Sequence, residues 1–345
     1  MNIGEVFVNL ADVGEPPLIA QLARASWLAG VAQAAVKLEI FTKLRGGKLC
    51  PAEVAGLLGA NPQHTKEMLN SCVAVGLLEK IGDEYQNTKE SATYLVKGEP
   101  KYYGEAFTYL TSLGPLFGQL DAAMLTEETM SHEQEFQSEE EEADYWRHYM
   151  LAMYQWGAAG QQDLLLENTD LTGKRKFLDV GGGSGVYTIA FCQKYPDLTA
   201  VLFDQEKALP LARSLIETQG LSRRISTVAG DYYTEPFGTD YDAVLFSGVL
   251  VQEPHEGQRR LLRKAYESMK SGGLIIVQDI LKIGPYTETS PKIALESLVA
   301  AVFYGGQGGV ATADETSEFL TSAGFTSPKQ IPLPGVYSLV TALKP

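Results

Sequence analysis

The rhythm of hydrophobic and polar positions changes near residue 170. Before it, apolar residues recur at helical spacing. Residues 27–44 set Val31, Ala35 and Leu38 on one stripe, which predicts a helix. A second helix fits residues 51–58, because Pro51 can occupy a first helical position that needs no N–H. A third, from Pro62, carries Met68, Leu69, Cys72 and Val73 inward and stops at Gly76. Residues 77–81, a Gly82-Asp83 turn and residues 85–88 read as a small hairpin. Three helices and a hairpin describe a winged helix. Residues 101–165 also read as helical, with less regular spacing.

After residue 170, short β-rich runs alternate with helical ones. Strands are expected at 177–180, 200–204, 225–229, 243–247 and 274–281, the last following the Gly272-Gly273 turn. Helices are expected over 186–195, 208–219, through Leu261 and Leu262 to 269, and over 312–323. Two last strands fall near 327–331 and 337–343. Such alternation predicts an α/β, Rossmann-like domain with a mostly parallel, doubly wound sheet of seven strands.

Composition narrows the function classes. Of 345 residues, 45% are hydrophobic, enough to fill two cores. Acids outnumber bases 43 to 28, and a net charge of −15 repels nucleic acid and anionic membranes unless a basic patch overrides it. No such patch stands out. The third helix, His64-Thr65-Lys66-Glu67-Met68-Leu69-Asn70, offers one lysine where a groove reader needs several cations, so the winged helix reads as a dimerisation module. Cys50, Cys72 and Cys192 form no Cys-x-x-Cys, no apolar run approaches the roughly 20 residues of a membrane helix, and Met1-Asn2-Ile3-Gly4-Glu5 lacks a basic leader. The expectation is a cytoplasmic protein. The acidic run at Glu133, Glu135 and Glu139 to Glu142 reads as a solvated helix start capped by Ser138; with no histidine at ligand spacing, no metal site is expected.

The sharpest motif is Asp179-Val-Gly181-Gly-Gly183-Ser-Gly185, between the first strand and its helix. Its glycines permit a tight turn and close approach of a ligand to free N–H groups. A dinucleotide fingerprint would need glycine at 186, where Val186 stands, and an acid just ahead of the loop repels a pyrophosphate but suits an ammonium. Asp204 ends the second strand where a ribose diol is held. Asp231, in Gly230-Asp231-Tyr232-Tyr233, follows the third, with Tyr232 set beside a purine ring. Three acids at successive strand ends describe a nucleoside that carries an amine, which is S-adenosylmethionine.

Residues 20–345 resemble the class I S-adenosylmethionine-dependent methyltransferases of the caffeate/hydroxyneurosporene O-methyltransferase type. The resemblance rests on Gly76-Leu77-Leu78-Glu79, the 179–185 loop, Gly230-Asp231, Lys270-Ser271-Gly272-Gly273 and Ala323-Gly324-Phe325. It implies that Asp179, Gly181, Gly183, Asp204, Asp231 and Tyr232 line the cofactor, with Ser247 and Gly248 near it. It also implies a homodimer, with a dimerisation domain over 1–110, a helical linker over 111–170 that contributes to the acceptor pocket, and a cofactor-binding domain over 171–345.

One departure matters. The catalytic histidine of O-methylating members falls at Val251, and its supporting acid, in the stretch Gly308-Gly309-Val310-Ala311-Thr312, falls at Ala311. Neither side chain accepts a proton. His148, His255 and Tyr149 are the candidates to replace the base. Tyr145, Trp146, Met150, Met153 and Tyr154 are the candidate acceptor-binding residues, and Tyr145, Trp146, Tyr149, Tyr154 and Trp156 could surround a sulfonium product. The expectation is therefore transfer to a small molecule by in-line displacement without a base, with a slight preference for a thioether acid. Alternatives are O-, N- or C-methylation of an aromatic or pigment metabolite, a non-catalytic S-adenosylmethionine-binding protein, and a winged-helix regulator.

Overall fold

A computed structural model of the chain describes residues 17–125, 136–303, 310–335 and 337–345. Glu133, Glu135, Gly308 and Gly309, singled out above, lie outside the described residues. The chain forms two compact units, one through Pro115 and one from Leu116.

In the first unit, α1 (Pro17–Lys37) is followed by α2 (Ile40–Lys43), α3 (Pro51–Leu58), α4 (Pro62–Ala74) and a hairpin of β1 (Leu78–Ile81) and β2 (Glu84–Asn87). The single helix expected over 27–44 is instead two. Glu39 adopts a left-handed backbone, φ 54°, and the turn it makes drives Ile40 and Phe41 into the core. There they meet Leu69, Cys72 and Tyr85, whose hydroxyl donates to Asn70 Oδ1 at 2.7 Å.

In the second unit, α5 (Glu139–Trp156) starts at Ser138, whose Oγ accepts from Glu141 N at 3.2 Å; four glutamates in the first turn face the positive end of the helix dipole. The sheet comprises β3 (Lys176–Val180), β4 (Thr199–Asp204), β5 (Ile225–Ala229), β6 (Tyr241–Ser247), β7 (Met269–Asp279), β8 (Thr326–Ile331) and β9 (Ser338–Leu343), in the order β5-β4-β3-β6-β7-β9-β8. The five strands from β3 to β7 are parallel, and β9 returns antiparallel between β7 and β8. Between them run α6 (Val186–Lys194), α7 (Leu209–Thr218), α8 (His255–Ser268), α9 (Pro291–Phe303) and α10 (Ala313–Ser322). Leu178 and Val180 feed the core on one face of the sheet while Phe177 feeds the other, the double burial a parallel sheet requires.

Two expectations change here. The Lys270-Ser271-Gly272-Gly273 turn belongs to β7 itself, which begins at Met269 and absorbs the extra residues in a register shift opposite Tyr241 and Ala243. Helix α9 was not foreseen. Its apolar residues are spread around the axis, so that Ile293 and Ala300 are buried while Leu295 is exposed, and no single stripe announces it.

Leu18, Ile19, Leu22 and Trp27 on α1 stay 63–66% exposed. Apolar side chains so closely spaced are the kind of surface a second copy covers. Light scattering at micromolar concentration should return a dimer, and a chain carrying both Leu22→Glu and Trp27→Glu should return a monomer.

Candidate active site

Strand β3 lies at the point where chain order reverses, with β4 on one side and β6 on the other, so the connections at its carboxyl end diverge and leave a crevice. A cavity of about 230 Å³ opens there. Its floor is the glycine loop, in which Gly181 and Gly183 take positive φ values of 68° and 51°. A Cβ on Gly181 would stand 2.5 Å from Val249 Cγ2, so a side chain is excluded by contact as well as by conformation. Gly181 N donates to Phe203 O at 2.8 Å, which pins the loop to β4. The loop then runs into the N-terminus of α6, with Gly185 at the cap.

Asp179, the penultimate residue of β3, is 1% exposed. Its Oδ2 accepts from Thr188 Oγ1 at 2.5 Å, while Oδ1 is buried and meets no hydrogen-bond partner among the described residues. Burial, opposed by the Thr188 bond, pushes this carboxyl up to about 7, and the nearby Asp204 adds to the rise. Asp204, at the end of β4, accepts from Gly183 N at 2.8 Å through Oδ2 and from Gln205 N at 2.7 Å through Oδ1. Each oxygen keeps a lone pair, so Asp204 shapes the loop and still has capacity for a diol.

Asp179, Gly181, Gly183, Asp204, Tyr232, Ser247 and Gly248 all line the cavity. Asp231 does not. It is exposed, and its Oδ1 accepts from Tyr233 N at 2.7 Å in an Asx turn.

Helix α5 brings Trp146, Tyr149, Met150 and Met153 to the opposite wall, together with Trp156 at its end. Tyr145 and Tyr154 are not among the residues that line this cavity. The Tyr145 ring stacks on Tyr149 at 6.3 Å between centroids and packs against Phe136, and Tyr154 is half-buried elsewhere. A π-turn, Gly157–Gln161, follows the helix, with Gly160 at φ 153°. It shifts the helical phase and delivers Gln161 to the cavity, where its Oε1 accepts from Tyr187 Oη at 3.1 Å. Gln161, Tyr187, Gln252 and Tyr337 are wall residues that sequence reasoning missed. Tyr187 was within reach, since it opens the helix after the glycine loop; a π-turn leaves no periodic signal.

Val251 is buried in an apolar cluster with Ile280, Ile293, Ala300 and Val310, and Ala311 is buried in the neighbouring core. The carboxylate of Asp279, at the end of β7, accepts from Val251 N at 3.0 Å and Ile280 N at 2.9 Å, and burial pushes it up to about 7. Both histidine candidates stand away from the cavity. His148 is exposed, its Nδ1 2.8 Å from Asp144 O one turn back; His255 is exposed at the start of α8, its ring 5.3 Å from that of Phe319. Among the described residues, no histidine, lysine or arginine lines the cavity.

Residues 122–326, more than half of the chain, match the family model of the O-methyltransferase domain. The chain belongs to that family. Residues 20–97 match the O-methyltransferase dimerisation domain. Among curated proteins, this methyltransferase is 28% identical to a 3-hydroxy-5-methyl-1-naphthoate 3-O-methyltransferase of Streptomyces sahachiroi, over 95% of both chains. It is 29% identical to the N,N-dimethyltransferase OxyT of Streptomyces rimosus, over 79% of this chain and 80% of that one. Among solved structures it shares its fold with human N-acetylserotonin methyltransferase in complex with SAM, at TM-score 0.83 and 23% identity over 97% of this chain and 99% of that one. No helix among the described residues is long and apolar enough to cross a membrane.

The enzyme is an S-adenosylmethionine-dependent methyltransferase, and the cavity suits that cofactor. A buried carboxylate oxygen without a hydrogen-bond partner among the described residues belongs to a residue that lines a cavity floored by the glycine loop, a setting that suits the ammonium of an amino-acid end. A carboxyl held near 7 is protonated below that pH in the free protein, whereas pairing with an ammonium needs the anion. Affinity for S-adenosylhomocysteine should therefore rise with pH between about 6 and 8, with net proton release on binding, and Asp179→Asn should bind weakly without that slope. Calorimetry in buffers of different ionisation enthalpy reads both. The sign for stability is opposite. A raised carboxyl pKa means the folded state holds its proton more tightly than the unfolded one, so this contribution is present below about pH 4 and lost as pH rises through about 7.

Proposed function

We propose that this methyltransferase alkylates a small aromatic metabolite whose nucleophile already carries a free lone pair or carbanion character, with no side chain acting as general base. The carrying observation is the apolar surrounding of Val251, together with a cavity lined, among the described residues, by no histidine, lysine or arginine. The site roles follow the sequence reading: Asp179 holds the ammonium, Asp204 the ribose diol, Gly181 and Gly183 the close approach to the donor, and Tyr232 with Ser247 and Gly248 the remaining wall. Trp146, Tyr149, Met150, Met153 and Trp156 take the acceptor side.

The bound cofactor supplies a methyl group on a cationic sulfur. The chain's part is geometric. Aromatic rings and methionines exclude water and fix the approach line, and orientation of this kind can remove several kcal/mol from a barrier without proton transfer. The aromatic faces also favour a cation by about 0.5–2 kcal/mol each.

One relative is named for a hydroxynaphthoate, which supports an aromatic acceptor, and another for N,N-dimethylation, which supports nitrogen as the atom alkylated. Nitrogen fits best, since an arylamine attacks through its lone pair and releases its proton to solvent afterwards. A thioether sulfur remains the second reading because Trp146, Tyr149 and Trp156 do face the cavity, although Tyr145 and Tyr154 do not complete the ring of aromatics. We also infer a homodimer formed through residues 20–97 and the exposed apolar face of α1.

Mass spectrometry of arylamine, phenol, ring-carbon and thioether acceptors incubated with labelled S-adenosylmethionine identifies the atom alkylated. With the acceptor in hand, His148→Ala and His255→Ala should each keep most of kcat, any loss appearing in KM. A drop of about a hundredfold in either, the usual size of a lost general base, would make base-assisted O-methylation the better reading.

A further inference from the structure

Glu253 is a buried carboxylate for which the reaction above has no use; it is 3% exposed. It follows the turn that carries Val251 and Gln252, and two phenols converge on it. Tyr232 Oη donates to Oε1 at 2.6 Å and Tyr233 Oη donates to Oε2. Gln258 Nε2 donates to its main-chain oxygen at 3.0 Å. Room for the carboxylate depends on Gly257, where a Cβ would lie 2.7 Å from Oε2. Helix α8 secures the same loop with cations: Lys264 Nζ donates to Tyr232 O and Arg260 to Tyr233 O, each at 2.6 Å. Burial first, then the bonds to Glu253, pushes the Tyr233 phenol up to about 12 and the Tyr232 phenol further in the same direction. Both phenols therefore stay protonated donors throughout the working pH range.

Tyr232 lines the cavity; Glu253 and Tyr233 do not. We propose that Glu253 is a positioning residue for the donor site, fixing from behind the tyrosine ring that faces the nucleoside while touching no substrate itself. The inference rests on the reading that the nucleoside end lies against Tyr232. A free tyrosine on a loop samples several rotamers, and the order imposed by a two-phenol clamp is order the ligand need not impose on binding.

Titration with S-adenosylhomocysteine tests it. Glu253→Ala should weaken binding about tenfold, and Glu253→Gln, which retains one acceptor, clearly less. KM for the methyl acceptor should hold steady in both, a split that general loosening of the fold would not give. Tyr233→Phe and Gly257→Ala endanger folding less and should weaken binding in the same direction, by about threefold. Tyr232→Phe should cost much less in the Glu253→Ala background than alone, since the two act as one unit. Unchanged affinity in Glu253→Ala, with Tyr232→Ala weakened, overturns the positioning role. Unchanged affinity in Tyr232→Ala as well overturns the placement of the nucleoside.

Discussion

The site depends on one buried carboxylate that is only half satisfied. Asp179 takes one bond from Thr188 and leaves its other oxygen without a partner in a cavity floored by glycines. An isolated charge there is costly, which is why the group rises toward neutrality in the free protein. A cation in the cavity relieves that cost. The loop around Asp179 must therefore stay open enough to admit one, and the positive φ values of Gly181 and Gly183, held by Phe203 O and Asp204, keep it so. Ligand recognition and local instability come from the same atom.

Much of this was legible in the sequence because it is local. The glycine loop, the acids at strand ends and the alternation of strands and helices are each written in a few adjacent residues, and β3, β5 and α6 lie within a residue or so of where those patterns put them. Direction is less legible. Asp231 follows the expected strand but does not line the cavity, its Oδ1 accepting from Tyr233 N, and nothing in Gly230-Asp231-Tyr232-Tyr233 announces that turn. Tyr145 and Tyr149 lie one helical turn apart, close enough to stack, and only Tyr149 reaches the cavity. Spacing assigns a side chain to a face; packing against Phe136 decides where the ring goes. Gln161 was hidden for a different reason, since a π-turn breaks the periodicity on which any helical reading relies.

The two walls of the cavity are held by different physics. The wall proposed for the donor is polar and over-determined: Asp204 bonds to two main-chain N–H groups, and the Tyr232 loop is gripped by Glu253, Lys264 and Arg260. The wall proposed for the acceptor relies on rings and thioethers from one helix, with Lys207 seated 4.7 Å above the Trp146 ring. Apolar walls of this kind tolerate changes of shape more readily than hydrogen-bonded ones, because no polar partner is stranded.

The backbone around Val251 is held independently of the side chain that residue carries. The turn Leu250–Gln252 needs its N–H groups satisfied whatever side chain it bears. Asp279 does this from the sheet, accepting from Val251 N, and Glu253 ties the following residue to the Tyr232 loop. Neither contact involves the Val251 side chain, which is buried in a cluster with Ile280, Ile293, Ala300 and Val310, against which Tyr286 and Tyr337 pack. A valine there strands no polar group of its own. The turn is held by a main-chain bond that does not depend on the side chain at residue 251, so its position is compatible with the proposed transfer in which that side chain moves no proton.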